Sequence, residues 1–163
     1  MGAHALLRLL SSGPDRFERL VLFLPAAIDS PVRRPPALAD ALRTGDCEAV
    51  LSVVQQELAP LTGPQVDAYA GARTDFLLAS PGLPALLEAL PHDVPVASRE
   101  QLSAVTADVL IIGQEGDLLH PADVARELAA VLPRASLVLF DRPGAAFLER
   151  ARLRHLISGH LSP

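Results

Sequence analysis

Apolar side chains recur along this sequence in two rhythms, one helical and one extended. Over residues 3–12, Ala5, Leu6, Leu9 and Leu10 stand at helical spacing, and Ser12-Gly13-Pro14 stops the run. Residues 19–25 (RLVLFLP) are apolar after the first position, rich in strand formers and bounded by charge and proline. That is how a strand buried on both faces reads.

From 31 to about 98 the character changes. Prolines at 35, 36, 60, 64, 81 and 91 separate helical stretches near 37–44, 46–58, 64–79 and 83–90. Cys47, Val50, Leu51, Val54 and Leu58 form one apolar face, and Val66, Phe76 and Leu77 suggest another. This segment is expected to be an all-helical insertion.

The alternating rhythm then returns. Residues 108–113 (DVLIIG) read as a strand, 121–132 as a helix, 136–141 (SLVLFD) as a strand and 145–161 as a closing helix. Val124, Leu128, Val131 and Leu132 share one face of the middle helix. About twenty residues between the two strands suffice for a parallel crossover. The class is therefore α/β, with a short parallel sheet of about three strands flanked by helices. The expected organisation is a core from 1–30 and 99–163, interrupted by the helical insertion 31–98. No strand feeds the first helix, so one flank of the 19–25 strand is expected to be an exposed edge through which copies self-associate as a homo-oligomer.

Composition narrows the function classes. With 163 residues, half of them hydrophobic, the chain can bury an ordinary core. A net charge of -5 and a pI of about 5.4 provide no basic footprint for nucleic acid or an anionic membrane surface, so the expected partner is a small hydrophobic molecule. The single cysteine, Cys47, fits a reducing compartment, and the five histidines show no metal-ligand spacing. No metal and no cofactor are expected. The opening lacks the pattern of a signal peptide, and no apolar run approaches the ~18 residues of a membrane span, so a cytoplasmic protein is expected.

Three stretches resemble the α/β-hydrolase superfamily. The stretch DVLIIGQEGDLLHP at 108–121 looks like that family's seventh strand and the loop bearing the triad acid, which falls at Asp117. SLVLFDRPG at 136–144 looks like the eighth strand and the loop where the triad histidine usually sits. The opening MGAHALLRLLSSGPDRFERLVLFLPA resembles the segment after the nucleophile elbow, with Met1 and Gly2 as the last two positions of G-x-S-x-G. The resemblance thus implies a partial α/β-hydrolase fold, its C-terminal portion, starting just after the elbow, with the helical insertion in the place of the family's cap. It also implies an ester-type small-molecule hydrolase that is truncated or incomplete, lacking the nucleophile serine.

An elbow works by exposing the nucleophile on a strained turn while the next backbone N–H helps hold the oxyanion. In an extended chain Met1 would supply that N–H. Asp117 follows an apolar strand at the carboxyl edge of the sheet, where a carboxylate can orient an imidazole. Its blander meaning is a loop aspartate capping a turn before the Pro121 helix. Some hydrolases carry the acid one strand earlier, and Asp29 is the matching position here. The loop after SLVLFD reads RPGAAFLER, with Gly144 and Ala145 where the family's G-H would fall. His120 stands three residues from Asp117 and His4 lies one turn into the first helix, so these are the alternative bases. His155 and His160 read as surface or helix-end residues.

Two function classes follow. One is an esterase-type enzyme, inactive as it stands and completed upstream. The other is a non-catalytic hydrolase-fold remnant acting as a binding or self-associating protein. A nucleotide-binding domain is disfavoured, because GQEGD has too few glycines and too many acids to cradle phosphate.

Overall fold

The computed structural model describes residues 2–31, 37–89 and 92–162. The chain divides into two compact units, a core of residues 1–31 and 94–163 and a helical unit of residues 32–93.

The core opens with α1 (Gly2–Ser12), whose buried residues His4, Leu7 and Leu10 share one face. It ends where Gly13 N–H donates to Leu9 O and Pro14 forbids another turn. Then comes β1 (Arg19–Phe23). After the helical unit the chain continues with a 3-10 turn at Arg99–Ala104, β2 (Asp108–Gln114), α6 (Ala122–Val131) and β3 (Ala135–Phe140). The strands are parallel in the order β1-β2-β3, with Val21 opposite Leu110 and Ile111 opposite Leu137. This is the α/β sheet that the apolar runs predicted.

The period-2 alternation of strand side chains divides the core into two layers. Leu20, Leu22, Val109 and Ile111 pack with Leu7 and Leu10 of α1 and Leu128 of α6. On the other face Leu110, Ile112 and Phe140 pack with Leu153, Leu156 and Ile157 of the last helix.

Only β2, the central strand, is buried along nearly its whole length. The first strand was expected to be buried on both faces and to reach residue 25; it is neither. It alternates in burial, Phe23 is 40% exposed, and the ladder ends at Phe23 because Leu24 takes φ 46 and Pro25 follows. The closing helix also departs from the single element expected over 145–161. It is split into α7 (Ala145–Leu148) and α8 (Arg150–Leu161) at Glu149, whose φ -97 and ψ 44 leave the helical region.

The helical unit holds α2 (Ala37–Thr44), α3 (Cys47–Leu58), α4 (Pro64–Leu78) and α5 (Leu83–Ala89). Asp46 caps α3 by accepting from Glu48 and Ala49 N–H, and Pro64 opens α4, where its missing N–H costs nothing. Its own core comprises Ala41, Leu42, Val50, Val54, Ala70 and Leu77. Phe76, assigned from the sequence to an apolar face, is 68% exposed, and Cys47 is exposed as well. Val66, Ala70, Thr74 and Leu77 instead form the buried face of α4, and Phe76 is one residue out of that register.

Residues 94–98 lie with the core rather than with the helical unit. Val96, 3% exposed, donates its N–H to Ile28 O at 3.1 Å, which closes the chain on itself where it leaves and re-enters the core.

Candidate functional site

The carboxyl ends of β2 and β3 carry two loops that touch. After β2, Glu115 N–H still donates to Phe140 O at 2.9 Å, and Gly116 then turns the chain with φ +69. A Cβ on Gly116 would lie 2.7 Å from Pro143 Cγ in the loop after β3. Glycine is therefore required here twice, for its backbone conformation and for this approach. A second tie is Gln114. Its buried Oε1 accepts from Ala146 N–H at 3.0 Å, holding the first turn of α7 to the end of the central strand.

Asp117 sits in this loop with its side chain 15% exposed. Oδ1 accepts the N–H groups of Leu119 at 2.8 Å and His120 at 2.9 Å. Oδ2 lies 3.3 Å from His120 Nδ1. The turn-capping role and the pairing with an imidazole thus coexist in one carboxylate. Burial pushes its pKa up, but the His120 hydrogen bond and charge, with the two backbone N–H groups, outweigh this and hold it below its ordinary value. An ionised carboxylate only accepts, so the neutral ring must present Nδ1–H to it. Glu115 is turned elsewhere, paired with Arg126 of α6.

Asp29, the other candidate acid, is occupied differently. Arg99 grips it through both oxygens, at 2.8 Å from Nε and 2.8 Å from Nη2, and extends Nη1 to Glu127 at 3.0 Å. The Arg99 hydrogen bond, more than burial opposes it, holds the Asp29 pKa low. Asp29 and Asp117 are therefore two separately partnered carboxylates. His4 is buried on the sheet-facing side of α1 with Leu7 and Leu10. Met1, the backbone oxyanion candidate, lies outside the described residues. His155 is exposed on α8, whereas His160 is half-buried with Nε2 3.1 Å from Asp108 O at the opposite, amino end of β2.

The loop after β3 holds no histidine, and Ala145 and Ala146 there are 0% and 4% exposed, packed with Ile112 and Phe140. Among the described residues no group of His, Cys, Asp and Glu is arranged to hold a metal. In the helical unit an open groove of about 390 Å³ lies where α3 gives way to α4, and Asp67 is its sole charged lining residue.

Sequence reasoning did not find Gln114 or Arg99. Gln114 carried a signal, a lone amide closing an apolar strand, which must find a partner once buried. Arg99 carried none, because its partner is 70 residues away.

A parallel sheet with helices on both faces, and an aspartate in the loop beyond its central strand, defines an α/β protein whose candidate site lies at the carboxyl edge of the sheet. No family model matches the chain. It is 31% identical over 157 residues to a pimeloyl-[acyl-carrier protein] methyl ester esterase of Nitrosomonas europaea, an alignment covering 90% of this chain and 62% of that relative. Among solved structures it superposes on a 2-hydroxy-6-oxo-6-phenylhexa-2,4-dienoate hydrolase from Rhodococcus sp. strain RHA1 with TM-score 0.75 and 19% identity, covering 98% of this chain and 60% of the other. An enol-lactonase from Burkholderia xenovorans LB400 matches with TM-score 0.73 and 23% identity, covering 100% and 63%. The chain carries the C-terminal portion of the α/β-hydrolase fold, and the Nitrosomonas esterase is similar to it in sequence. It spans about three fifths of the length of these proteins.

Proposed function

We propose that the chain is the acid-bearing portion of an ester-type α/β-hydrolase that acts on a small apolar molecule. Asp117 is its acid, and residues 32–93 are the cap that shapes substrate choice. In this reading it is truncated or incomplete, lacking the nucleophile serine and the usual histidine, and inactive on its own. The observation that carries it is Asp117 itself, ionised and fixed by three hydrogen-bond contacts beyond the central strand. The esterase name of the Nitrosomonas relative supports the same chemistry, and the single Cys47 supports a reducing, cytoplasmic setting.

A 4-nitrophenyl ester assay tests it. The 163-residue chain should not exceed background, and a version extended upstream through a G-x-S sequence should turn over. In that version Asp117→Asn should lower kcat on the order of 10⁴-fold, the usual cost of losing a triad acid. Undiminished turnover by the variant, or an upstream sequence with a stop codon and no G-x-S, would refute the proposal.

The outer edge of β1 favours a second reading. Among the described residues nothing pairs with it, and an unprotected edge is a template for another strand. A non-catalytic remnant that self-associates there would need no serine.

A further inference from the structure

We infer that His120, borne on the acid's own loop, supplies the imidazole of this site, with Asp117 as its positioning carboxylate and Nε2 as the base. This rests on the ester-hydrolase reading above. Three observations converge on it.

The first is the pairing itself. Asp117 Oδ2 faces His120 Nδ1 at 3.3 Å, a long hydrogen bond of the kind that tightens as positive charge develops on the ring. Because Oδ1 is held by the N–H groups of Leu119 and His120, the carboxylate cannot swing away from the ring. The imidazole is thereby fixed as the Nδ1–H tautomer, which leaves the Nε2 lone pair free to accept a proton.

The second is access. The His120 side chain remains 26% exposed, while Asp117 beside it is 15% exposed, so the ring is the outer member of the pair. A histidine serving only to fill the core would be sealed.

The third is the alternative loop. Where an imidazole after β3 would stand, Ala145 is fully buried and Gln114 locks the turn by accepting from Ala146 N–H. An imidazole arriving from there would also have to displace His120 from Oδ2.

The step balances without a further reactant. Nε2 takes the proton of an attacking hydroxyl as that oxygen's electron pair adds to the ester carbonyl carbon. The tetrahedral intermediate then breaks its bond to the alkoxide, which leaves with the proton returned from Nε2. When the hydroxyl is water's, ester and water become acid and alcohol.

Two measurements on the 163-residue chain decide the pairing. Long-range ¹H–¹⁵N spectra of the neutral ring should show His120 as Nδ1–H with a pyridine-like Nε2, and Asp117→Asn should abolish that preference. Diethyl pyrocarbonate should carbethoxylate His120 faster than the more exposed His155, and Asp117→Asn should remove the difference. An Nε2–H tautomer, or a His120 slower than His155, overturns the inference. In an upstream-extended, active protein, His120→Gln should lower kcat about 10²–10⁴-fold, the range of a general base, with KM little changed and His155→Gln as control. Unchanged kcat overturns it while leaving the hydrolase reading intact. An extended protein that is inactive with His120 in place refutes that reading, and the tautomer and acylation rate then decide the dyad alone.

Discussion

Asp117 shows how much one side chain in a loop can be asked to do. Its two backbone acceptances hold the turn before α6, and its second oxygen holds a ring. Both Asp117 and Asp29 have pKa values lowered from 3.8. A carboxyl whose folded pKa is depressed adds stability above its unfolded pKa, and that contribution is lost as the pH falls through the folded value. Asp117→Asn, which keeps an oxygen for the turn but removes the charge, should therefore cost about 1–2 kcal/mol at pH 7. Urea melts should show the gap closing as the pH drops below 3.8. An equal gap at both ends of the range would mean that the charge contributes nothing. The position of Asp117 was legible, because an apolar run followed by Gly-x-Asp announces a strand end and a turn. The His120 contact was not, since three residues of loop leave the direction of a side chain open until the turn is known.

Among the elements, β2 governs the rest. Its apolar run, DVLIIG, was readable as a buried strand, and it is the one strand covered on both faces. The run at 19–25 is also mostly apolar, yet only Leu20 and Leu22 of its strand are buried, because burial on both faces depends on neighbours that a single strand's sequence does not encode. Gly113 lies where α6 and β3 close on β2. A Cβ there would stand 2.8 Å from Ala125 Cβ and 2.7 Å from Leu139 Cδ2. Leu139 can rotate, but Ala125 can move only with its helix. Gly113→Ala should accordingly destabilise by about 1–3 kcal/mol, the cost of overpacking. Adding Ala125→Gly should recover part of it as a favourable coupling in a double-mutant cycle. Gln114→Leu leaves the buried Ala146 N–H without its acceptor and should cost about 1–3 kcal/mol. Hydrogen exchange at Ala146 should accelerate more than at Ile111, and unchanged exchange there would deny Gln114 its tie.

On the scale of the whole molecule, the open flank of the sheet has a definite polarity. In a parallel strand the N–H and C=O of one residue point to the same side, and successive residues alternate. Glu18 O accepts from Asp108 N–H and Leu24 N–H donates to Ile112 O, so the even-numbered residues of β1 face β2. Val21 and Phe23 then direct their backbone groups outward. If copies associate through this edge, Val21→Pro should yield monomers by sedimentation, since proline removes an outward N–H and spares the ladder to β2. Retained self-association by a folded Val21→Pro variant would exclude that edge. Equally, a wild-type chain that sediments as a stable monomer would count against the self-associating remnant.

The core also holds together the two points between which residues 32–93 run. Ile28 and Val96 share a hydrogen bond, and Asp29 and Arg99 a two-pronged ion pair. Whatever is threaded between those points starts and finishes at an already closed gate. A foreign segment spliced in their place would bear little extra closure entropy, about 0.6 kcal/mol for each doubling of its length. The joint is thus suited to carrying inserted segments of different length.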